Sequence, residues 1–325
     1  MSTAVQAQAL SLCGVLTESK RIISAHSRHF LALSLLFLLP LSFSLITYPA
    51  LSQTDSVATP TLLFSAPHQP TPHHLLLLVL YSFLLLLLSL SALASITHST
   101  YHGFYGRPVK LVSALKSLTR SLLPLVSTSI ASQSILLVVA LAFLLFVALV
   151  VKLAETLGFA IDYNSTYCTA LSALLALAFV LIVVYLQVNW SLASVVVVAE
   201  SKWGLEPLRR SSFLIRGMRS VALSLSLLYG ALIGFFVWGN SSSLVNLNGD
   251  GGWRSWAAVV GTVLSSSFVT LFMLNYVAAS SVLYMYCKAL HGELASEIAK
   301  EFAREYVSLP FDDEKLPHMV SVVLA

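Results

Sequence analysis

Glu200-Ser-Lys-Trp-Gly-Leu-Glu-Pro-Leu-Arg-Arg-Ser-Ser-Phe-Leu-Ile-Arg-Gly-Met-Arg219 lies between two long apolar runs, Thr169–Ala199 and Val221–Trp238. Uncharged runs of that length are expected to cross a bilayer, and the Lys and Arg residues between them decide the direction of crossing. The island holds Lys202, Arg209, Arg210, Arg216 and Arg219 against Glu200 and Glu206, so it is expected on the cytosolic side. The rest of the chain has the same character. With 57% hydrophobic and 10% charged residues among 325, and a mean hydropathy of +0.86, it falls outside the range of soluble globular domains. The expected fold is an all-α polytopic bundle of transmembrane helices.

Outward from the island, spans are read at about 30–48, 75–96, 122–151 and 169–199 on one side and 221–238 and 256–286 on the other. Residues 30–286 thus form a six-helix membrane domain. Residues 1–29 precede it: Leu12, Val15, Leu16, Ile22 and Ile23 share a helical face opposite Glu18, Lys20 and Arg21, which reads as a cytosolic interfacial helix. Pro40 should bend the first span. Pro49–His74, with five prolines and no Lys or Arg, reads as an irregular non-cytosolic loop. Lys110–Arg120 sets Leu111, Leu115 and Leu118 against Lys110, Lys116 and Arg120, a second basic amphipathic helix. The island itself supplies a third.

Placing the N-terminus in the cytosol leaves only Lys152 and Arg254 outside, so 16 of the 18 Lys and Arg residues lie inside. Both termini are therefore expected to be cytosolic. The amphipathic segments start near Leu12, Leu111 and Leu208, spaced by 99 and then 97 residues, which suggests a threefold hairpin repeat. Residues 287–325 form a cytosolic tail. Within it, Glu293–Val307 reads as an amphipathic helix with Leu294, Ile298, Phe302 and Tyr306 on its apolar side. Its net-acidic polar face suits docking on the protein's own cytosolic surface or on a protein partner rather than on anionic lipid.

Catalytic chemistry has little support. Cys13, Cys168 and Cys287 have no paired spacing. His98 and His102 stand four apart but lack further ligands, so neither a metal nor another cofactor is expected. Gln187, Asn189 and Asn275 lie within spans that hold no acid or base, where amides commonly tie helices together. Glu200, at the end of the fourth span, is expected to pair with Arg209 or Arg210. Cys287, just after the sixth span beside Lys288, is a candidate for palmitoylation.

Val195-Val-Val-Val-Ala-Glu200, Gly204, Leu208-Arg-Arg-Ser211 and Arg216-Gly217 resemble the membrane domain of some glycerophosphodiester phosphodiesterases, without the catalytic domain; Pro207 departs from that pattern. Leu12-Cys-Gly-Val-Leu-Thr-Glu-Ser-Lys-Arg-Ile-Ile23, Leu39-Pro-Leu-Ser-Phe43, Tyr286-Cys-Lys-Ala-Leu-His-Gly-Glu293 and Tyr306-Val-Ser-Leu-Pro310 resemble a plant family of six-span proteins of unassigned function. The resemblance implies a membrane domain alone. The expected function is a non-enzymatic multi-pass protein of the endoplasmic reticulum, other endomembranes or plasma membrane. It would organise lipids, anionic ones in particular, or partner proteins through Lys110, Lys116, Arg120, Arg209, Arg210, Arg216 and Arg219. The alternative is a channel or uniporter for a small neutral or amphiphilic solute, which needs a polar cavity lined by Gln187, Asn189 and Asn275. Nucleic acid is not an expected partner.

Overall fold

The computed structural model describes residues 11–57, 72–106, 111–157, 165–247 and 256–296, together with residue 299. Among these residues all regular structure is helical. Six stretches are long and apolar enough to cross a membrane: Ser27–Tyr48, Leu76–Phe104, Leu111–Thr156, Thr166–Glu200, Arg219–Asn240 and Val259–Leu290. The protein is an all-α, multi-pass membrane protein.

Helix α1, Leu12–Ala25, starts at Ser11, whose side chain accepts from the Gly14 N–H at 3.3 Å. Its apolar face was expected to lie in lipid, but Val15 and Ile22 are buried in the protein's main core. The helix docks on the spans. Its approach to the second span depends on Gly103, where a Cβ would come within 2.9 Å of the Ile22 side chain.

The first span comprises α2, Ser27–Leu33, a π-turn over Ser34–Leu38, and α3, Leu39–Val57. Pro40 explains the π-turn. Its ring excludes the carbonyl four residues back and it offers no N–H, so the ladder widens just before it, and the Leu39 N–H reaches back to the Ser34 carbonyl. A widened turn thus precedes Pro40, where the sequence predicts a bend. Because α3 runs to Val57 and α4, Pro72–Phe104, begins at the next segment, much of the expected Pro49–His74 loop is helix. Residues 58–71 lie outside the described residues.

Helix α5 is a single element, Leu111–Thr156, with Pro124 inside it. The basic helix expected over Lys110–Arg120 is therefore continuous with the third span, and Lys110 lies outside the described residues. The fourth apolar run is, in contrast, broken: α6, Thr166–Trp190, turns at Ser191–Leu192 into α7, Ala193–Glu200. There follow α8, Glu206–Leu214; α9, Arg219–Leu247; and α10, Trp256–Leu290. The three segments leading the supposed repeats thus differ in form: a 14-residue helix, a fused extension of α5, and a 9-residue helix.

The largest core draws on α1, α2, the start of α3, the last turns of α4, α7, α8 and both ends of the α9–α10 pair nearest the basic segments. We call this the basic end. Helix α10 is central, 61% of its most apolar window being buried, whereas none of the corresponding windows of α5 and α6–α7 is. Ser42 Oγ, 2.7 Å from Thr270 Oγ1 and 3.0 Å from the Ser266 carbonyl, ties α3 to α10. Away from the basic end the α5 and α6 spans present mostly exposed apolar surface, as lipid-facing helices do.

Candidate functional site at the basic end

The site is built around the break between α6 and α7. A helix interrupted at Ser191–Leu192 frees backbone groups that must be satisfied where they are buried. Ser211, on α8, meets two of them: its Oγ donates to the Asn189 carbonyl at 2.7 Å and accepts from the Leu192 N–H at 3.2 Å. The Val195–Val197 run then packs inside the protein, with Val195 and Val196 in the main core and Val197 against Leu90, Ala94, Leu118 and Leu125. Residues read as the last turns of the fourth span are interior.

Glu200 ends α7, and the chain turns through Ser201 in the left-handed region, φ 54°. Pro207 then sits in the first turn of α8, where its missing N–H costs nothing. This fold-back brings Arg210 to Glu200, Nε to Oε1 at 3.2 Å. The expected pair forms with Arg210, whereas Arg209 is exposed on the other face of α8. Two further groups hold Glu200: the Tyr284 hydroxyl donates to Oε1 at 2.9 Å, and Lys202 Nζ lies 3.2 Å from Oε2.

Arg210 also binds Glu293. Its Nη1 donates to Oε1 at 3.0 Å, and Nη2 donates to Oε2 in a second contact, giving a forked pairing. These carboxylates, Glu293 first, hold the Arg210 guanidinium above its ordinary pKa, so it stays charged. Tyr284 and Glu293 were not anticipated. Only the left-handed turn at Gly292, φ +73°, marks where the chain leaves α10 and swings Glu293 back over α8.

Lys116, Arg120, Arg209, Arg216 and Arg219 are exposed and form no ion pair among the described residues. Arg216 lies 5.9 Å from the Phe213 ring centroid and Arg219 lies 5.8 Å from that of Tyr185. The three intramembrane amides do not bond to one another. Asn189 is buried and donates to the Tyr185 carbonyl, and Asn275 is half-buried and donates to the Leu271 carbonyl, each at 2.8 Å. Gln187 is exposed. Cys287, the candidate for palmitoylation, is 0% exposed and presents no accessible thiol.

His98 and His102 do meet, Nε2 to Nε2 at 3.1 Å, because α4 continues through Phe104 despite Gly103. His29 bonds Ser99 Oγ at 2.9 Å nearby. Among the described residues no group of three or more His, Cys, Asp or Glu side chains is arranged to hold a metal ion. Within the tail, Glu293 and the partly buried Leu294 pack on the protein's own surface, while the side chains of Ile298 and Phe302 lie outside the described residues.

The family described as a domain of unknown function, DUF8558, matches residues 2–318. The chain belongs to the DUF8558 family. No curated protein and no solved structure matches it. The DUF8558 match spans both the six apolar stretches and the basic end, so the ionic cluster and the membrane helices belong to one family unit.

Proposed function

We propose that this protein is a non-enzymatic multi-pass membrane protein that gathers anionic lipid headgroups at its basic end. That end would face the cytosol, with both termini on the same side. One observation carries the reading: the fold uses Arg210 for internal pairing but leaves Lys116, Arg120, Arg209, Arg216 and Arg219 exposed beside the ends of the spans. Cations in that position are attracted to an anionic leaflet by roughly 1 kcal/mol each before screening by salt. Cytosolic placement follows from the positive-inside rule applied to the Lys and Arg distribution.

The test uses purified full-length protein in nanodiscs of phosphatidylcholine and phosphatidylserine. Its variant carries K116Q, R120Q, R209Q, R216Q and R219Q, with Arg210 kept so that the internal cluster survives. The native protein should retain phosphatidylserine above its bulk fraction and the variant should not. Equal enrichment in both, with equal insertion, would refute the proposal.

A further inference from the structure

We infer that His98 and His102, in the last turns of α4, are the two protein ligands of an open site for a divalent late transition metal, with zinc as the ion whose geometry they match. The site is independent of the lipid-gathering reading.

The sequence discounts this pair for want of further ligands, but the fold brings its ring nitrogens together. Helix α4 runs on through Phe104, so residues four apart share one face, the spacing at which helical histidine pairs take zinc. The two Nε2 atoms stand 3.1 Å apart. Two imidazole nitrogens bound tetrahedrally to zinc at about 2.0–2.1 Å lie about 3.3 Å from each other, so a small opening of the pair admits the ion.

Without a metal, this spacing requires one ring to donate its N–H to the bare nitrogen of the other. With a metal, both ring protons sit on Nδ1 and both Nε2 lone pairs face the ion. Neutral rings make that exchange with no net gain or loss of a proton. His98 Nδ1 is buried and finds no hydrogen-bond partner among the described residues, so no bond there fixes the tautomer that would deny Nε2 to a metal.

The neighbouring residues anchor the turn that carries the pair. Thr97, Ser99 and Thr100 are buried; Ser99 Oγ donates to the Ser95 carbonyl at 2.7 Å and meets His29 Nε2 at 2.9 Å. The Tyr101 ring meets His102 edge-on, with centroids 5.9 Å apart. A turn held in this way has little entropy left to lose when an ion binds. His98 and His102 are themselves only half-buried, which leaves the ion a way in. Imidazole favours zinc, copper and nickel over magnesium or calcium. Two ligands fall short of the three-membered groups absent among the described residues, so solvent fills the remaining positions and the site stays open.

The test uses full-length protein without a histidine tag, in phosphatidylcholine nanodiscs, titrated with zinc chloride by calorimetry at a pH above the imidazole range. Zinc should bind at a single class of site that magnesium chloride does not displace. H98Q and H102Q should each weaken it by at least about tenfold, the loss that follows removal even of a ligand's outer partner. H73Q/H74Q, which removes the adjacent histidine pair at the other end of α4, should leave it unchanged. Should H98Q or H102Q disturb folding, the native protein decides: zinc should protect His98 and His102, but not His73 and His74, from acylation by diethyl pyrocarbonate, read by peptide mass. Unchanged zinc affinity in both single variants, loss of the site in H73Q/H74Q, or acylation of His98 and His102 that ignores zinc would overturn the inference.

Discussion

Ser211 is one hydroxyl serving two otherwise stranded backbone groups. Its removal should cost more than an ordinary serine's, because the Asn189 carbonyl and Leu192 N–H would stay buried and unmet. Ser211→Ala is expected to lower stability by about 1–3 kcal/mol. Ser212→Ala should be near neutral, since Ser212 Oγ bonds only the Arg209 carbonyl of its own helix. Denaturant unfolding in mixed micelles compares the two; equal effects would mean the break is not held by Ser211. Arg209 and Arg210 offer a second contrast between neighbours. Arg210→Gln strands Glu293 and removes a partner of Glu200, for an expected loss of about 1–3 kcal/mol. The loss stays below that of a wholly buried pair because the Arg210 and Glu293 side chains keep 20% and 33% of their exposure. Arg209→Gln should change stability by less than about 0.5 kcal/mol. Thermal unfolding of both variants in detergent would expose any reversal of that order.

At the scale of elements, two apolar runs that look alike do different work. The valines of α7 are core and the leucines in the second half of α5 face outward: Val196 is 0% exposed and Leu145 is 73% exposed. Val196→Ala should therefore destabilise by on the order of 1–3 kcal/mol, through lost burial plus the cavity left behind. Leu145→Ala, at a lipid-facing position, should do little. The readout is again unfolding in mixed micelles, and similar losses at both sites would place α7 in lipid rather than in the interior. Helix α5 illustrates the converse. Its basic first turns and the span form one unbroken helix, so Lys116 and Arg120 are carried on the spanning element itself rather than on a separate interfacial helix.

For the whole molecule, the arrangement of six crossings makes a topological prediction. Acceptor sequons engineered into residues 58–71 should be glycosylated in microsomes, and sequons placed near Lys315 should not. Modification at Lys315 would invert the orientation. The natural sequon at Asn240 should stay unmodified whatever the orientation, because Asn240 lies inside α9 and its amide donates to Thr262 Oγ1 at 3.4 Å. Glycan mapping by mobility shift distinguishes these outcomes. A dense basic end joined to loosely enclosed spans also implies that detergent should disturb the α5–α6 half before the α10 core.

Composition and periodicity alone determined that this is an all-α chain with six membrane-crossing helices. The bilayer leaves few ways to bury uncharged runs of such length, and hydropathy reads that constraint directly. The Glu200–Arg210 proximity was also half legible, as a carboxylate at a span end needs a cation and Gly204 and Pro207 allow the chain to fold back. Tertiary structure alone decided which apolar residues face protein rather than lipid, because a valine is equally at home in either solvent. That is why the sequence marks Val195–Val197 only as the end of the fourth span and reads the apolar face of α1 as interfacial. It also chose Arg210 over Arg209, drew in Tyr284 and Glu293, and buried Cys287. Those contacts join residues some 80 positions apart in the chain. Such pairings depend on how helices rotate and cross once packed, and local sequence carries no record of that.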